Sequence, residues 1–146
     1  MKPGVLLINL GTPSASSPKA VRDYLAEFLS DRRVVELKAC LWQPLLKFVI
    51  LPIRARRSAK LYQSIWMDEG SPLTVYTQRL AKKLQISLAD QFKVVLAMRY
   101  GKPNLEAGLQ ELLAAGVSSI VILPLYPQYS AATTASCFDK ISQLLQ

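Results

Sequence analysis

The sequence predicts an α/β fold, a doubly wound parallel sheet with an inserted apolar and basic helical segment. Three apolar runs rich in Val, Ile and Leu have the length of strands: Val5–Asn9, Phe92–Met98 and Ser119–Leu123. They do not alternate apolar with polar residues, which is typical of parallel strands covered on both faces. Between the second and third runs the apolar spacing is helical, so this stretch forms a βαβ unit.

Start and stop signals define the helices. Serine followed by proline, the expected pair at an N-cap and first turn, marks one helix at Ser17–Pro18 and another at Ser71–Pro72. A third helix begins at Asn104 and ends at Gly116, because glycine is a common C-terminal cap. The last helix begins at Ala131. The apolar residues that share one face of the first two helices are Val21, Tyr24, Leu25 and Phe28, and Leu73, Tyr76, Leu80 and Leu84.

A long insertion separates the first two strands. It has about eighty residues, far more than one crossover helix needs. Within it, Leu41–Ile53 is almost wholly apolar, and the stretch RARRSAK (54–60) that follows is strongly basic. An apolar stretch that includes Gln43, Pro44 and Lys47 and has so few residues cannot span a bilayer, which takes about 20. It still has more apolar residues than one packed helix face requires.

Composition and charge exclude several classes of protein. The 146 residues, 51% of them hydrophobic and 19% charged, suit one folded domain or one half of a two-lobed protein. A net charge of +8 suits an acidic partner, but no zinc-finger or aromatic RNA-binding pattern accompanies it, so we expect no nucleic acid. The two cysteines match no disulfide framework, and the N-terminal apolar run is too short for a signal peptide. Both observations indicate the cytoplasm.

Three loops lie at the carboxyl ends of the predicted strands, where open α/β sheets bind ligands. They read LGTPS, RYGKP and PLYPQYS, and the prolines, tyrosines and hydroxyls of the last loop suit a flat, partly apolar ligand. None has a phosphate-binding glycine motif or a carboxylate. The chain also has no histidine and no metal-binding cysteine spacing, so alone it does not have the residues of a complete enzyme.

The side chains near these loops also fit ordinary structural roles. Tyr126 and Tyr129 would serve as residues at the edge of the core. Arg54, Arg56 and Arg57 would form a solvated helix face, although arginine also suits carboxylates.

Several longer stretches together point to one enzyme family. They are GVLLINLGTP, FLSDRRVV, LYQSIWMDEGSPL, MRYGKP and LPLYPQYSAATTAS. In combination they resemble the bacterial ferrochelatases, which insert ferrous iron into protoporphyrin IX in the last step of haem biosynthesis. The resemblance covers only the first half of the family's pattern. It implies that residues 1–146 are the N-terminal lobe of a two-lobed lyase, with the second lobe absent from this chain.

The resemblance also implies which residues bind the porphyrin. The expected substrate-binding residues are Leu10, Arg54, Arg56, Tyr62, Ser71, Arg99, Tyr100, Tyr126, Ser130 and Thr134. Leu10 would face the macrocycle, where a leucine cannot ligate iron. Arg99 and Tyr100 would lie near the floor of the site, and Leu41–Ile53 would form an apolar lip that also contacts the inner membrane peripherally.

The same resemblance limits what this chain does by itself. The family's catalytic histidine and glutamate belong to the second lobe, so no catalytic residue and no metal ligand is expected in residues 1–146. No bound cofactor is expected either, because ferrous iron is a substrate of the full enzyme.

Three other interpretations stay open. The chain could be a tetrapyrrole-binding module without catalysis, or a peripheral membrane protein that uses Leu41–Lys60. It could also be a short chelatase that completes its site as a homodimer. The lack of histidine argues against the last, because a dimer doubles the same set of residues.

Overall fold

Three parallel strands form the sheet, and all three were predicted from the sequence. The computed structural model describes residues 1–146, with strands β1 (Gly4–Asn9), β2 (Lys93–Met98) and β3 (Ile120–Pro124). The strand order is β2–β1–β3, with β1 in the centre. Gly4 lies opposite Lys93 on one side and opposite Ile120 on the other, so the three strands begin level with one another.

Helices flank the sheet, which confirms the predicted α/β class. They are α1 (Pro18–Leu29), α2 (Ala39–Leu45), α3 (Leu51–Ile65), α4 (Pro72–Leu88), α5 (Leu105–Ala114) and α6 (Ser136–Leu144). Two π-helical turns precede α3 and α6, at Leu46–Ile50 and Ala131–Ala135. The first π turn joins α2 to α3 directly, so the predicted apolar and basic insertion is one continuous helical segment. None of the helices is long and apolar enough to cross a membrane.

The helix starts follow from local side-chain chemistry. The Ser17 hydroxyl accepts a hydrogen bond from the Ala20 N–H at 3.3 Å, and the Asn104 side chain accepts one from the Ala107 N–H at 2.9 Å. Both side chains satisfy donors that a helix leaves free in its first turn. Gly116 follows α5 with a φ of 63°, as expected for a C-terminal glycine.

Two hydrophobic clusters form the core. The first lies between the sheet and the helices α5 and α6, and its residues are Leu6, Ile8, Val95, Ala97, Leu105, Leu109, Leu112, Cys137 and Ile141. The second joins α1 to the helical insertion at the carboxyl end of the sheet, and its residues are Val21, Tyr24, Leu25, Leu29, Leu46, Leu51, Ala59 and Tyr100. Tyr100, the second residue after β2, therefore attaches the insertion to the sheet.

The expectation that the sheet is covered on both faces is wrong at β3. Val121 and Leu123 are 48% and 42% exposed, while Ile120 and Ile122 pack against the first cluster. The cause is that α4 packs against β2 rather than β3. Helix α4 itself is confirmed, but Tyr76 and Leu80 on its predicted apolar face are exposed, and its buried residues are Val75 and Thr77.

Candidate functional site

The loops after β1 and β2 are joined at the carboxyl edge of the sheet. The Arg99 N–H donates to the Asn9 carbonyl at 2.8 Å, and the Tyr100 N–H donates to the Leu10 carbonyl at 3.0 Å. The predicted site residues Leu10, Arg99 and Tyr100 are therefore neighbours. The Arg99 side chain enters a polar network, whereas the Leu10 side chain packs against the second cluster.

Asp31 is the centre of a polar network at this edge. One of its oxygens, Oδ2, accepts hydrogen bonds from Arg99 Nη2 at 2.6 Å, Tyr100 Oη at 2.7 Å and Ser136 Oγ at 2.5 Å. The other, Oδ1, accepts from the backbone N–H of Arg33 at 2.7 Å. The side chains of Asp31 and Arg99 are only 9% and 13% exposed, so this is a nearly buried ion pair.

The network keeps Asp31 ionised. Burial opposes the charge, but hydrogen bonds from Ser136, Tyr100 and the Arg33 backbone, with the charge of Arg99, outweigh it and hold the pKa of Asp31 below its usual range. Burial also raises the pKa of the Tyr100 phenol, so Tyr100 stays a hydrogen-bond donor at neutral pH. The ion pair of Asp31 and Arg99 is therefore fixed in place at the end of β2 and has no net charge.

A polar cavity of about 780 Å³ borders this network. The end of α1, the loop after it and α6 supply the remaining lining, which includes Glu27, Arg32, Arg33, Glu36, Asp139 and Lys140. Arg33 closes one side by a two-pronged ion pair with Asp139, at 2.7 and 3.3 Å. Cationic and anionic side chains in the lining are equal in number, so the cavity has little net charge.

A second cavity, of about 260 Å³, lies between the loop after β1 and the start of α4. Ser71 occupies the N-cap position as predicted and is 4% exposed, but its hydroxyl makes no capping hydrogen bond. Thr12, Thr74 and Lys102 line the same cavity, with the Thr12 and Thr74 hydroxyls 3.4 Å apart. Glu69 also lines the cavity, but its charge is paired with Arg79 at 2.6 Å, so the hydroxyl and ammonium donors at this helix N-terminus form a suitable environment for an anion. We call this the Ser71 cavity.

The exposed face of α3 carries an apolar groove of about 420 Å³. Leu61, Tyr62 and Ile65 supply its apolar wall. Arg54 lies two helical turns before Tyr62 and therefore on the same face. Tyr62 packs edge-on against Trp66, with ring centroids 6.2 Å apart, and Trp66 also lines the Ser71 cavity. One ring of this aromatic pair therefore lines the groove, and the other lines the Ser71 cavity.

Other predicted residues lie apart from this groove. Arg56 lines a separate basic cleft together with Lys19 and Arg22. The Tyr126 phenol lies 3.9 Å from the sulfur of Cys137 and packs against the first cluster. Such core packing was one of the two roles considered for it.

The last loop also stays outside the cavities described above. The Ser130 hydroxyl is 2.7 Å from the hydroxyl of Thr133, and Thr134 lies within the second π turn. Neither Ser130 nor Thr134 contributes to the lining of the groove, the Ser71 cavity or the polar cavity.

Sequence reasoning did not single out Asp31, Thr12, Trp66 or Lys102. All four lie in stretches that carry the family resemblance, and Thr12 and Lys102 also lie in two of the predicted strand-end loops, but no spacing pattern marks any of them individually. The fold buries Asp31 against Arg99, which lies in a different part of the sequence.

Comparison with known proteins establishes the family. The family model for ferrochelatase matches residues 2–146. The chain belongs to the ferrochelatase family. The ferrochelatases of Yersinia pestis (strain Pestoides F) and Yersinia pseudotuberculosis serotype O:3 (strain YPIII) are each 57% identical to it over 145 residues, or 99% of the chain. The chain spans 45% of the length of either relative and corresponds to the N-terminal part.

Proposed function

We propose that this chain is the N-terminal lobe of a ferrochelatase and supplies the wall that binds protoporphyrin IX. Family membership supports the class of enzyme, and the groove on α3 supports the binding role. A porphyrin is a flat apolar ring with carboxylates along one edge. The apolar groove suits the ring, and the Ser71 cavity suits a carboxylate at its edge. The Tyr62 and Trp66 rings lie between the two.

The Ser71 hydroxyl carries this proposal. It lines the cavity and makes no capping hydrogen bond, so it can donate to a ligand without giving up a capping partner. A porphyrin carboxylate would accept from Ser71 and from the uncapped first turn of α4, while Lys102 would add a favourable charge. Thr12 brings the loop after β1 to the same point.

The remaining predicted residues receive distinct roles. Arg54, on the face of the groove, would bind a second carboxylate. Leu10, which packs on the second cluster as Tyr62 does, would add apolar contact. Arg99 and Tyr100 would form the floor. Contacts of the porphyrin with Tyr126, Ser130 and Thr134 stay predictions from the family resemblance.

We assign iron insertion to the whole protein rather than to these residues. The chemistry needs a base for the pyrrole protons and ligands that deliver ferrous iron, which is a substrate. We expect both to lie outside residues 1–146, as the family resemblance implies. The residues of this chain would bind and orient the ring and shield one of its faces from water.

A comparison of a porphyrin dicarboxylate with its dimethyl ester tests the binding role. Ser71→Ala should weaken binding of the acid by roughly 1–3 kcal/mol in a fluorescence titration and leave the ester unchanged, because only the acid carries the acceptor. Ser87→Ala, an exposed serine near the other end of α4, is the matched control. Equal losses for acid and ester would refute a carboxylate at Ser71.

The two predicted arginines allow a second comparison. Arg54→Ala should weaken binding of the acid more than Arg56→Ala does, because Arg54 shares the face of the groove and Arg56 lies in a separate cleft. A larger effect at Arg56 would place the carboxylate in the basic cleft instead.

A second proposal concerns peripheral membrane contact by the helical insertion. Leu41, Phe48 and Ile53 are exposed along it. Residues 37–67 contain six lysines and arginines and no carboxylate. Exposed apolar side chains within a basic helical segment favour the surface of an anionic bilayer. This contact would place the protein in the cytoplasm at the inner membrane.

Vesicle sedimentation tests the membrane proposal. Phe48→Ser should reduce binding to phosphatidylglycerol vesicles, and vesicles of phosphatidylcholine should bind the wild-type chain weakly. Ile86→Ser, which changes an exposed residue on α4, is the control. The same loss from both substitutions, or equal binding to both lipids, would contradict a specific role of the insertion.

A further inference from the structure

We propose that Asp31 is a specificity-determining residue of this site, because it withholds the Arg99 guanidinium from substrate carboxylates. The inference rests on the proposed porphyrin-binding function. Arginine is the side chain best suited to bind a carboxylate, and Arg99 lies at the strand ends where the ligand is expected. With Asp31 bound to Arg99, the carboxylate is directed to the Ser71 cavity, and the ring binds in one orientation.

The geometry shows how fully Arg99 is engaged. Its Nη2 donates to Asp31 at 2.6 Å, and its Nε donates to the Ser136 hydroxyl at 2.7 Å and the Ser136 carbonyl at 3.1 Å. The guanidinium carbon lies 4.5 Å from the centre of the Tyr100 ring. A substrate carboxylate would have to displace an internal carboxylate that is already desolvated and hydrogen-bonded by its neighbours.

The surrounding charges do not replace this role. Among the other carboxylates that line the polar cavity, Asp139 is paired with Arg33, and Glu27 accepts a hydrogen bond from the Gly101 N–H at 2.9 Å. Neutralising Asp31 would therefore leave an unpaired guanidinium beside a cavity large enough to admit the edge of a ligand. Loss of Asp31 should therefore strengthen the binding of a porphyrin dicarboxylate. Loss of a residue with a purely structural role would weaken that binding.

Three variants of the full chain test the inference, with circular dichroism as the check of folding. Asp31→Asn should raise the affinity for a porphyrin dicarboxylate by about 5- to 10-fold without changing the affinity for its dimethyl ester. Adding Arg99→Gln should abolish this gain. Glu36→Gln removes one negative charge from the lining of the same cavity and should have an effect below about twofold.

A chemical probe measures the state of Arg99 without any porphyrin. Phenylglyoxal modifies accessible arginines, and peptide mass spectrometry identifies the modified residue. Arg99 should be protected in the wild-type chain and react about 10-fold faster in Asp31→Asn, because the variant loses the charged partner. Should Asp31→Asn fail to fold, Ser136→Ala loosens the same network without a change of charge and should raise the reactivity of Arg99 in the same direction.

The outcomes separate this inference from the proposed function. If the wild-type chain binds neither acid nor ester, the proposed function fails, and the reactivity of Arg99 decides the role of Asp31 alone. The inference is overturned if Arg99 is protected equally in the wild-type chain and in Asp31→Asn, or in Ser136→Ala where that variant replaces it. It is also overturned by a change in acid binding that the ester or Glu36→Gln reproduces, because such a change would reflect the fold or the bulk charge.

Discussion

Replacing Gly11 by alanine tests how closely the loop after β1 is held against the loop after β2. Gly11 has a φ of 103°, which side chains rarely allow, and a Cβ at this position would lie 1.8 Å from the carbonyl oxygen of Tyr100. Real contacts of this kind are essentially never under 3.0 Å, so one of the two loops must move by about 1 Å. The neighbouring atom belongs to the backbone and cannot rotate away.

The expected loss of stability has two parts. The strained φ costs roughly 1–2 kcal/mol for alanine. The displacement also breaks the hydrogen bonds from the Tyr100 N–H to the Leu10 carbonyl and from the Tyr24 hydroxyl to the Gly11 carbonyl, each worth about 1 kcal/mol. Gly11→Ala should therefore lower the free energy of unfolding by about 3–4 kcal/mol, a large fraction of the 5–15 kcal/mol that is typical of a domain.

Gly116→Ala is the matched control, because Gly116 has a φ of 63° and no atom within 4 Å of its added Cβ. It should lose only the strain term, about 1 kcal/mol. Urea unfolding monitored by circular dichroism gives both free energies under the same conditions. Equal losses in the two variants would show that the contact between the loops has no energetic weight, and would refute the reasoning.

Three further predictions concern single side chains. Leu112→Ala, in the first cluster, should lose about 2–5 kcal/mol in urea unfolding, while the exposed Leu113→Ala should lose less than about 1; similar losses would contradict the assigned core. Because the pKa of Asp31 is lower in the folded chain, its stabilisation is complete above the usual carboxyl range and is lost as pH falls through the folded pKa. Urea midpoints of the wild-type chain should therefore fall more steeply with acid than those of Asp31→Asn, and parallel pH profiles would argue against this linkage. Cys40 should react at once with a thiol reagent, whereas Cys137, which is fully buried and whose pKa burial raises, should react only on unfolding; equal native rates would be inconsistent with the structure.

Features that depend on local chemistry could be predicted from the sequence. Ser17 and Asn104 start helices because their side chains cap the next turn, which needs no knowledge of the fold. The three strands could also be identified without knowledge of the fold, because a continuous run of apolar residues is a local signal. Where the prediction concerned what covers an apolar residue, as at Leu80 or Leu123, it failed, since periodicity defines a face but not its neighbour.

The candidate site was harder to predict from the sequence, because its residues come together only in the folded chain. Asp31 is 68 residues from Arg99 along the sequence and 105 from Ser136. No spacing rule connects positions so distant, and an isolated aspartate after a helix resembles any surface residue. Ser71 was placed correctly at the start of α4, but only the structure shows that its hydroxyl is not used for capping.

The strand order has a consequence for folding during synthesis. The central strand β1 leaves the ribosome first, yet its neighbours begin only at Lys93 and Ile120. Most of the second cluster, from Val21 to Ala59, is available long before either neighbour. Because contacts between distant residues form late, we expect the helical layer to assemble first, with β1 unpaired until β2 emerges. During that interval β1 is a strand with two open edges, and it is the segment most in need of protection by a chaperone.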